Sequence, residues 1–385
     1  MRPLRTVGVV EEDAERGLVK IAKTIGVVAA LIPSTGPDAT PPVKTLFALK
    51  GRNAIVLAGH PRTQQSTSAV TELMREACEQ VGAPADLVQT IAEPSLDKTQ
   101  ELMKQADLIV ATGGAGMVKA AHSAGTPAYG VGVGNAVHVV DETADLDDAA
   151  SAIAIAKTFD YATSCLADNA VVAAAGIYDD LRTKLEQQGA YFCSAEEKRS
   201  LQGVMWPGDS HIPSTDVIAK GATKIADLAG MDVPSEASFL VVEEDGVGPE
   251  HPFSGEKLSV VLALYRYEGS IENAVEIVND ITNYQGLGHT CGIHTSNDDN
   301  VEAVAFGTKT ARVLVNQNLN EGAGSPRNGL PFTLSLAGGS WGGNITTENI
   351  NARHFINLTW VSRPIAPRNV DEDELFAAHW ERHGR

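Results

Sequence analysis

"IGVVAALI", residues 25–32, opens a series of short apolar runs that decides the fold. The later runs share β-branched residues and glycine, proline or polar boundaries; they are AIVLAG (54–59), LVQTIA (87–92), DLIVATGG (107–114) and AVHVVDE (136–142). Runs of this kind are typical of buried parallel strands. Between two of them, TSAVTELMREACEQVG (67–82) places five apolar residues on one face of a helix, namely Val70, Leu73, Met74, Ala77 and Val81. Strands alternating with helices predict a doubly wound α/β domain.

Strand and helix patterns continue beyond residue 145 and predict a second α/β block. Asp145 is a candidate N-cap for a helix in LDDAASAIAIAKTF (146–159). Further runs of strand or helix type are NAVVAAAG (169–176), ASFLVVEED (237–245), KLSVVLALYRY (257–267), SIENAVEIVNDITN (270–283) and ARVLVN (311–316). At the ends, residues 6–26 predict a β-hairpin and DEDELFAAHWERHG (371–384) predicts an exposed helix. An isolated hairpin is marginally stable, so we expect it to pair with another element or subunit.

Composition narrows the class of protein. The 385 residues are 43% hydrophobic, enough to form two cores, and the formal charge of -19 disfavours binding to nucleic acid or to an anionic membrane surface. The four cysteines are widely spaced and predict neither a disulfide framework nor a zinc site. No run has the length of a membrane span, and the N-terminal region lacks an apolar signal core. We therefore expect a cytoplasmic protein.

Three stretches could bind a nucleotide. VATGGAGMVKAA (110–121) follows a strand and opens a helix, so backbone N–H groups at Gly113, Gly114 and Gly116 could meet a phosphate. The spacing is not GxGxxG, and a tight turn without a ligand explains it equally well. YGVGVGNAV (129–137) is a second glycine-dense stretch. After the strand AIVLA, His60 and Arg62 lie where a doubly wound fold reads the ribose or its 2′-phosphate, although a solvated loop is an alternative.

Two cysteine-containing stretches could carry chemistry. Cys165 lies in a polar turn of KTFDYATSC (157–165), where an accessible thiolate would be a nucleophile. Cys78 and Cys193 are interpreted instead as small buried hydrophobic residues. In GHTCGIH (288–294) a histidine, a cysteine and a second histidine match no common zinc spacing. We interpret this stretch as a turn with one functional histidine and expect no metal.

These stretches together resemble a known family. KTFDYATSC, ATGGAGMVKAAHSAGTPAYGVGVGN (111–135), HPFSGEKLSVVLALYR (251–266), GLGHT (286–290) and GGSWGGN (338–344) resemble the CoA-acylating branch of the aldehyde dehydrogenase superfamily, over about residues 7 to 363. The resemblance implies an aldehyde dehydrogenase-like fold: a doubly wound parallel-sheet cofactor domain, a second α/β catalytic domain and a small β oligomerisation arm. It also implies NAD or NADP as cofactor, coenzyme A as co-substrate, a small aldehyde as substrate, and a homo-oligomer, either dimer or tetramer.

The same resemblance divides the chain. The expected parts are a β-hairpin arm at 1–25, a dinucleotide-binding domain at 26–145, a catalytic domain at 146–345, and a C-terminal segment at 346–385 with an oligomerisation strand and a tail helix. The boundary near 145 rests on acidic composition alone. Because members of the branch have further N-terminal residues, we expect the N-terminal part of the cofactor domain to be missing from this chain.

The resemblance also implies roles for individual residues. Cys165 would be the nucleophile, and Gly113, Gly114 and Gly116 would form the pyrophosphate loop. Glu256 of GEKLS would hold the nicotinamide ribose. His289 of GLGHT would lie near the active site, with its role open between acid–base work and positioning.

One difference from hydrolytic relatives and two departures from the branch shape the predicted chemistry. No acid occurs from Tyr129 to Asn135, where hydrolytic relatives carry a water-activating glutamate, so the CoA thiol is expected to resolve a thioacyl enzyme. Gly36 stands where an asparagine helps to bind the oxyanion. His60 and Thr63 replace the residues that read the adenosine ribose, so Arg62 could pair with a 2′-phosphate and NADP is as compatible as NAD.

The aldehyde and two rival functions stay open at this point. Arg327 and Arg353 could clamp a sulfonate, as in sulfoacetaldehyde, although an ordinary surface arginine is the better interpretation of either. Acetaldehyde-like substrates are the alternative. One rival function is a non-acylating aldehyde dehydrogenase or a reductase of an activated acyl group. The other is a truncated, catalytically poor binding or assembly protein.

Overall fold

The computed structural model describes residues 4–208, 210, 212–367 and 369–385. The strands are β1 (Gly8–Asp13), β2 (Leu18–Lys23), β3 (Val27–Leu31), β4 (Ala54–Ala58), β5 (Val88–Thr90), β6 (Leu108–Thr112), β7 (Ala128–Val131), β8 (Ala136–Val140), β9 (Asp168–Ala174), β10 (Ala190–Phe192), β11 (Phe239–Glu243), β12 (Val261–Tyr267), β13 (Gly288–His294), β14 (Thr310–Val315) and β15 (Asn357–Ser362). The helices are α1 (Thr40–Lys50), α2 (Gln64–Gln80), α3 (Leu96–Gln105), α4 (Ala115–His122), α5 (Leu146–Thr158), α6 (Tyr178–Gln187), α7 (Ala195–Met205), α8 (Ala222–Leu228), α9 (Ile271–Tyr284), α10 (Asp298–Gly307), α11 (Glu372–Leu375) and α12 (Ala377–His383). Across the described residues, none of these helices combines the length and apolarity needed to cross a bilayer.

The first sheet has five parallel strands in the order β5-β4-β3-β6-β7. β3, the opening run of the sequence, is central, and the strand order reverses beside it. Such a reversal opens a crevice at the carboxyl ends of the central strands, where doubly wound folds bind ligands. The predicted doubly wound unit is confirmed.

The second sheet has seven parallel strands in the order β10-β11-β12-β9-β8-β13-β14. It includes β8, which the sequence pattern grouped with the first block. Only residues 132–135 separate β7 from β8, and two neighbouring parallel strands need a crossover of a dozen or more residues. β8 therefore enters the second sheet, and the two sheets divide within the second glycine-dense stretch rather than near residue 145.

The third sheet is antiparallel and joins the two ends of the chain. β1 and β2 form the predicted hairpin, and β15 pairs with β2, with Asn357 opposite Lys23. The expected partner of the hairpin is thus a C-terminal strand of the same chain. The tail beyond this strand forms α11 and α12, as the sequence predicts.

The segment before β15 returns to the first sheet. Ile350, Ala352 and Phe355 are fully buried in the core beneath that sheet, and the ring of Phe355 packs against that of Phe47 at 5.8 Å. Asn53 donates a hydrogen bond of 2.7 Å to the Phe355 carbonyl oxygen. Residues that lie far away in sequence therefore complete the core beneath the first sheet.

The buried face of α2 differs from the predicted one. The helix forms, but Leu73 is 64% and Val81 81% exposed, while Thr67, Thr71 and Cys78 are buried. Thr71 satisfies its hydroxyl within the helix by donating to the Thr67 carbonyl oxygen, so threonine can pack inward without an orphaned polar group. The predicted apolar face is wrong because apolar spacing does not take into account that a threonine hydroxyl can be satisfied within the helix.

Candidate active site

One cleft of about 1290 Å³ holds most of the predicted site residues. Its lining includes Cys165, Glu256, His289, Gly113 and Gly114. The carboxyl ends of β3, β4, β6 and β7 form one wall of the cleft. The segments that precede β9 and β12, together with the start of β13, form the other wall. The cofactor-type crevice of the first sheet thus faces the amino-terminal edge of the second.

A strained turn presents Cys165. α5 begins after Asp145, whose carboxylate accepts the Asp147 and Asp148 N–H groups as predicted. After α5, three consecutive residues with side chains have left-handed backbones, at φ 48°, 51° and 57° for Asp160, Tyr161 and Ala162. Each costs about 1–2 kcal/mol. Strain of this kind collects at functional sites, and here it reverses the chain just before Cys165.

Gly134 allows the second glycine-dense stretch to touch the Cys165 turn. A Cβ atom on Gly134 would overlap the Cys165 carbonyl oxygen and lie 2.7 Å from the Cys165 Cβ. The Gly134 N–H donates to Glu256 Oε1 at 2.8 Å. Asn135 anchors the stretch, since its amide donates to the Ser254 and Gln285 carbonyl oxygens. The glycine at 134 therefore brings the thiol and the carboxylate to one place.

The Cys165 thiol is neutral in this environment. Burial and the nearby Glu256 carboxylate raise its pKa to about 12, while Arg312 and the Cys165 backbone N–H oppose the rise. Burial also raises the pKa of Glu256 to about 7, against the Gly134 N–H, Lys257 and Lys157. Near neutral pH, Glu256 is divided between its acid and carboxylate forms. The thiolate is therefore the minor form of Cys165 in this environment.

His289 lies on a buried strand rather than in a turn. GHTCGIH forms β13, so the interpretation of this stretch as a turn is wrong. Burial and the charge of Arg312 lower the pKa of His289 to about 3, and its Nδ1 has no hydrogen-bond partner. The imidazole is therefore neutral. Cys291 lies behind it, against the hydroxyls of Thr308 and Thr310.

The glycines that the sequence pattern predicts to meet a phosphate lie at the start of α4. Gly114 caps α4, and nothing lies within 4 Å of a Cβ added there, so the N-terminus of the helix is open to a ligand. Gly116 lies in the first turn of α4. Of the described residues that line the cleft, none is a lysine or an arginine. Anionic phosphates must therefore be met by backbone N–H groups, which the pyrophosphate of a dinucleotide fits.

Lys44 is buried beneath this crevice and was not predicted. Its Nζ donates to the carbonyl oxygen of Leu31, at the end of β3, and to that of Val110, in the middle of β6, over 2.8 and 2.9 Å. Burial lowers the pKa of Lys44 to about 7. Since its hydrogen bonds tie the two central strands together, Lys44 shapes the crevice without lining it.

His60 and Arg62 lie at the far end of the cleft. His60 lines it and caps a short 3₁₀ turn, where its Nδ1 accepts the Arg62 N–H at 3.2 Å. The Arg62 side chain is exposed beside the lining residues His60 and Pro61. This is the end of β4, where the ribose of a dinucleotide is read in doubly wound folds.

The two arginines considered for a sulfonate take different places, and neither lines the cleft. Arg353 forms an exposed ion pair with Glu348 at 3.0 Å. Arg327 is exposed, and its N–H donates to Ser325 Oγ, which belongs to a residue of the cleft wall. Arg327 is therefore at the rim of the cleft and Arg353 is engaged elsewhere.

The position of the missing asparagine is also part of the cleft. Gly36 lines it beside Thr40, whose Oγ1 would lie 2.8 Å from a Cβ on Gly36. Thr40 is 3% exposed and lines the same wall. The Thr40 hydroxyl, which can donate a hydrogen bond, therefore borders the space that an asparagine side chain at position 36 would fill.

Arg312 is the main site residue that the sequence did not reveal. It lies on β14 and is 6% exposed, and its guanidinium donates to three backbone carbonyls, including that of His289, and to two side chains. An arginine in a run such as ARVLVN is indistinguishable from an ordinary edge-strand residue. Three of its five acceptors come from residues 337–349, which return to the site from far along the chain, and the other two are on β13.

Comparison with known proteins places the chain. The profile of the "Aldehyde dehydrogenase family" matches residues 4–193. The chain is 44% identical to a sulfoacetaldehyde dehydrogenase of an Acholeplasma species, over 98% of this chain and 78% of that protein. An acetylating aldehyde dehydrogenase from Geobacillus thermoglucosidasius superposes with a TM-score of 0.90 at 38% identity, covering 96% of this chain and 81% of the other.

A further solved structure carries the ligand chemistry of the branch. It is a propionaldehyde dehydrogenase from Rhodopseudomonas palustris with bound CoA and an acylated cysteine, with a TM-score of 0.82 at 27% identity over 90% of this chain and 77% of the other. The identity to the Acholeplasma protein spans nearly the whole chain, and the fold agrees with both solved structures. This chain therefore belongs to the aldehyde dehydrogenase family, in its CoA-acylating branch.

Proposed function

We propose that this chain oxidises a small aldehyde to its acyl-CoA with NAD or NADP as hydride acceptor and Cys165 as the nucleophile. The observation that supports the proposal is the shared cleft, whose lining includes Cys165, Glu256 and His289 together with the glycines that precede α4. The relatives' names and the bound CoA of the Rhodopseudomonas structure support the reaction type.

The chemistry follows from these residues. The Cys165 thiolate attacks the aldehyde carbon, forming a C–S bond and a hemithioacetal. A bound nicotinamide would supply the acceptor for the hydride of that carbon, and the acyl group would remain on Sγ as a thioester. The CoA thiolate then attacks the thioester carbonyl, so acyl-CoA leaves and the Cys165 thiolate is restored. The backbone N–H of Cys165 and the Thr40 hydroxyl are proposed donors to the oxyanion.

The choice of CoA over water rests on missing base catalysis. No acid lies between Tyr129 and Asn135, and Glu256 is proposed to be occupied by the hydroxyls of the nicotinamide ribose. His289 is a weak base because its pKa is about 3. Water is then a poor nucleophile for the thioester, whereas a thiol with a reference pKa near 8.5 is partly ionised at neutral pH.

The test is formation of reduced nucleotide, followed by absorbance, with acetaldehyde or sulfoacetaldehyde, NAD or NADP, and with or without CoA. We expect continuous turnover only when CoA is present. Turnover without CoA would favour the non-acylating rival. No turnover with any pairing, from folded protein, would favour a catalytically poor binding protein.

The aldehyde is proposed from the relatives and the rim. Sulfoacetaldehyde is the substrate named for the Acholeplasma relative, and Arg327 is the cation nearest in sequence to the cleft-lining Ser325 and Pro326. Because the described lining holds no cation, a sulfonate would reach Arg327 only at the rim. A higher kcat/KM for sulfoacetaldehyde than for acetaldehyde would support this choice, and the reverse would assign the smaller aldehyde.

A pH dependence of cofactor binding follows from Glu256. Its pKa of about 7 means that the carboxylate, the form that accepts hydrogen bonds from ribose hydroxyls, is lost as the pH falls below 7. Charge-assisted hydrogen bonds contribute about 1.5–3 kcal/mol, so we expect KM for the nucleotide to rise about 10-fold or more between pH 8 and pH 5.5. Glu256→Gln should raise KM at pH 8 and remove most of this pH dependence. An unchanged profile in the variant would contradict the role.

Arg62 is proposed to favour NADP. An exposed guanidinium at the ribose end of the cleft can pair with a 2′-phosphate, which NAD lacks. Arg62→Ala should lower kcat/KM for NADP about three- to tenfold, a small effect because exposed ion pairs contribute little, and leave NAD unchanged. Arg266→Ala, at an exposed arginine paired with Glu268, is the matched control. Equal losses with both nucleotides would refute the assignment.

The assembly and compartment are part of the proposal. β1 and β15 form the free edges of the antiparallel sheet, and Val9, Leu358 and Trp360 are exposed on it. Unpaired sheet edges and exposed apolar side chains of this kind favour association of copies of the chain. We therefore propose a dimer or tetramer, which sedimentation can measure. Four free cysteines favour a reducing, cytoplasmic setting.

A further inference from the structure

Arg312 is the most fully engaged cation near the site. Its Nε donates to Thr290 Oγ1 at 3.0 Å, and its Nη2 donates to the His289 and Ala337 carbonyl oxygens at 3.0 and 2.9 Å. Its Nη1 donates to the Thr347 carbonyl oxygen and to Asn349 Oδ1 at 3.2 and 3.3 Å. Every nitrogen of the guanidinium is thus bonded, in a geometry that only the planar fork of arginine supplies.

These bonds join two parts of the chain that lie far apart in sequence. β13 carries His289, while residues 337–349 include the glycine-rich loop GGSWGGN and lead back to the first sheet. The two backbones approach closely, since a Cβ on Gly288 would lie 2.8 Å from the Gly342 nitrogen. Carbonyl oxygens crowded at such a crossing repel one another unless a donor lies between them. Arg312 is that donor.

We propose that Arg312 is a positioning residue of the active site, which fixes His289 against residues 337–349 so that the imidazole stays in the cleft with Cys165. It touches neither substrate nor cofactor, because it does not line the cleft. It acts through the His289 main chain and through its fixed positive charge.

The charge gives Arg312 a second effect on the same two residues. It lowers the pKa of Cys165 against the effects of burial and Glu256, and it lowers the pKa of His289 further than burial alone. Both effects favour chemistry, because the first increases the thiolate fraction and the second keeps the imidazole neutral. A residue that merely stabilised the fold would have no influence on thiol reactivity.

The test separates charge from fork geometry by comparing Arg312→Lys with Arg312→Gln. Alkylation of Cys165 by iodoacetamide is followed by mass analysis of its peptide at pH 8, which needs no turnover. We expect Arg312→Gln to slow alkylation about three- to tenfold, because the thiolate fraction falls, and Arg312→Lys to leave it within twofold. Arg266→Lys is the matched surface control. Equal alkylation rates in wild type and both variants, with folding confirmed by circular dichroism, would overturn the charge effect.

Turnover tests the positioning effect, and this arm rests on the proposed function. Arg312→Lys should lower kcat about tenfold or more in the wild-type background, but less than twofold in a His289→Ala background, because the lost geometry acts through His289. Equal losses in both backgrounds, or wild-type kcat in Arg312→Lys, would overturn the proposal. Should Arg312→Gln fail to fold, the lysine variant decides. If wild type shows no turnover, the proposed function fails while the alkylation result still stands.

Discussion

Replacing Cys165 with alanine is expected to abolish CoA-dependent aldehyde oxidation, with a loss of at least about 1,000-fold in kcat, because Cys165 is the one cysteine among the described residues that line the cleft. The fold should survive, since Cys165 lies in a turn between α5 and β9 rather than in a sheet. Initial rates of reduced-nucleotide formation measure the effect. Thermal melting and sedimentation of the variant should match the wild type.

Cys193→Ala is the matched control for that experiment. Cys193 is a free cysteine that is partly buried, and it belongs to the shell around the core of the second sheet rather than to the lining of the cleft. We expect it to retain at least about half of the activity, as is usual for changes away from the reacting groups. Retained turnover in Cys165→Ala, or equal losses in both variants, would sink the assignment of the nucleophile.

Gly134→Ala should be the most damaging change outside the nucleophile itself. The new methyl group would overlap the Cys165 carbonyl oxygen and lie 2.7 Å from its Cβ, and backbone atoms cannot swing aside as the end of a flexible side chain can. The Cys165 turn must shift, and a shift of about 1 Å typically costs about 100-fold in rate. Overpacking adds about 1–3 kcal/mol of destabilisation. The measurement is kcat together with thermal melting.

Gly132→Ala, two residues earlier in the same stretch, is the control for Gly134. A Cβ there would lie 3.7 Å from a Val118 methyl group, which is an ordinary contact. Because Gly132 itself lines the cleft, thermal melting is the readout that matches the two variants, and we expect this variant to keep its melting temperature. The close-approach account is refuted when the two alanine variants behave alike.

The sequence predicted the parts of the fold whose signals are local. β3, β4, β6 and α5 follow directly from apolar runs and from the Asp145 cap, because those patterns are set by neighbouring residues. The pairing of the N-terminal hairpin was predictable too, since an isolated hairpin cannot satisfy its own edges. The resemblance to the acylating branch placed Cys165, Glu256 and His289, which the structure brings into one cleft.

What the sequence missed depends on distant contacts. β8 follows β7 in the chain, yet its partners β9 and β13 are fixed by the length of the link and by strands that come later. Arg312 looks like any strand arginine until residues 337–349 fold back over it. His289 was expected in a turn because the spacing of GHTCGIH fits no zinc site, but its burial in β13 depends on the whole sheet. Arg353 was considered for substrate, and its partner Glu348 was not visible from sequence.

The most direct test of the account is to trap the thioacyl enzyme. Protein is mixed with aldehyde and NAD or NADP in the absence of CoA, quenched in acid, digested and analysed by mass spectrometry. The account predicts an acyl group on the peptide that contains Cys165, formed once per active site and lost when CoA is added before the quench. A peptide that stays unmodified while reduced nucleotide accumulates, or an acyl group on another residue, would contradict it.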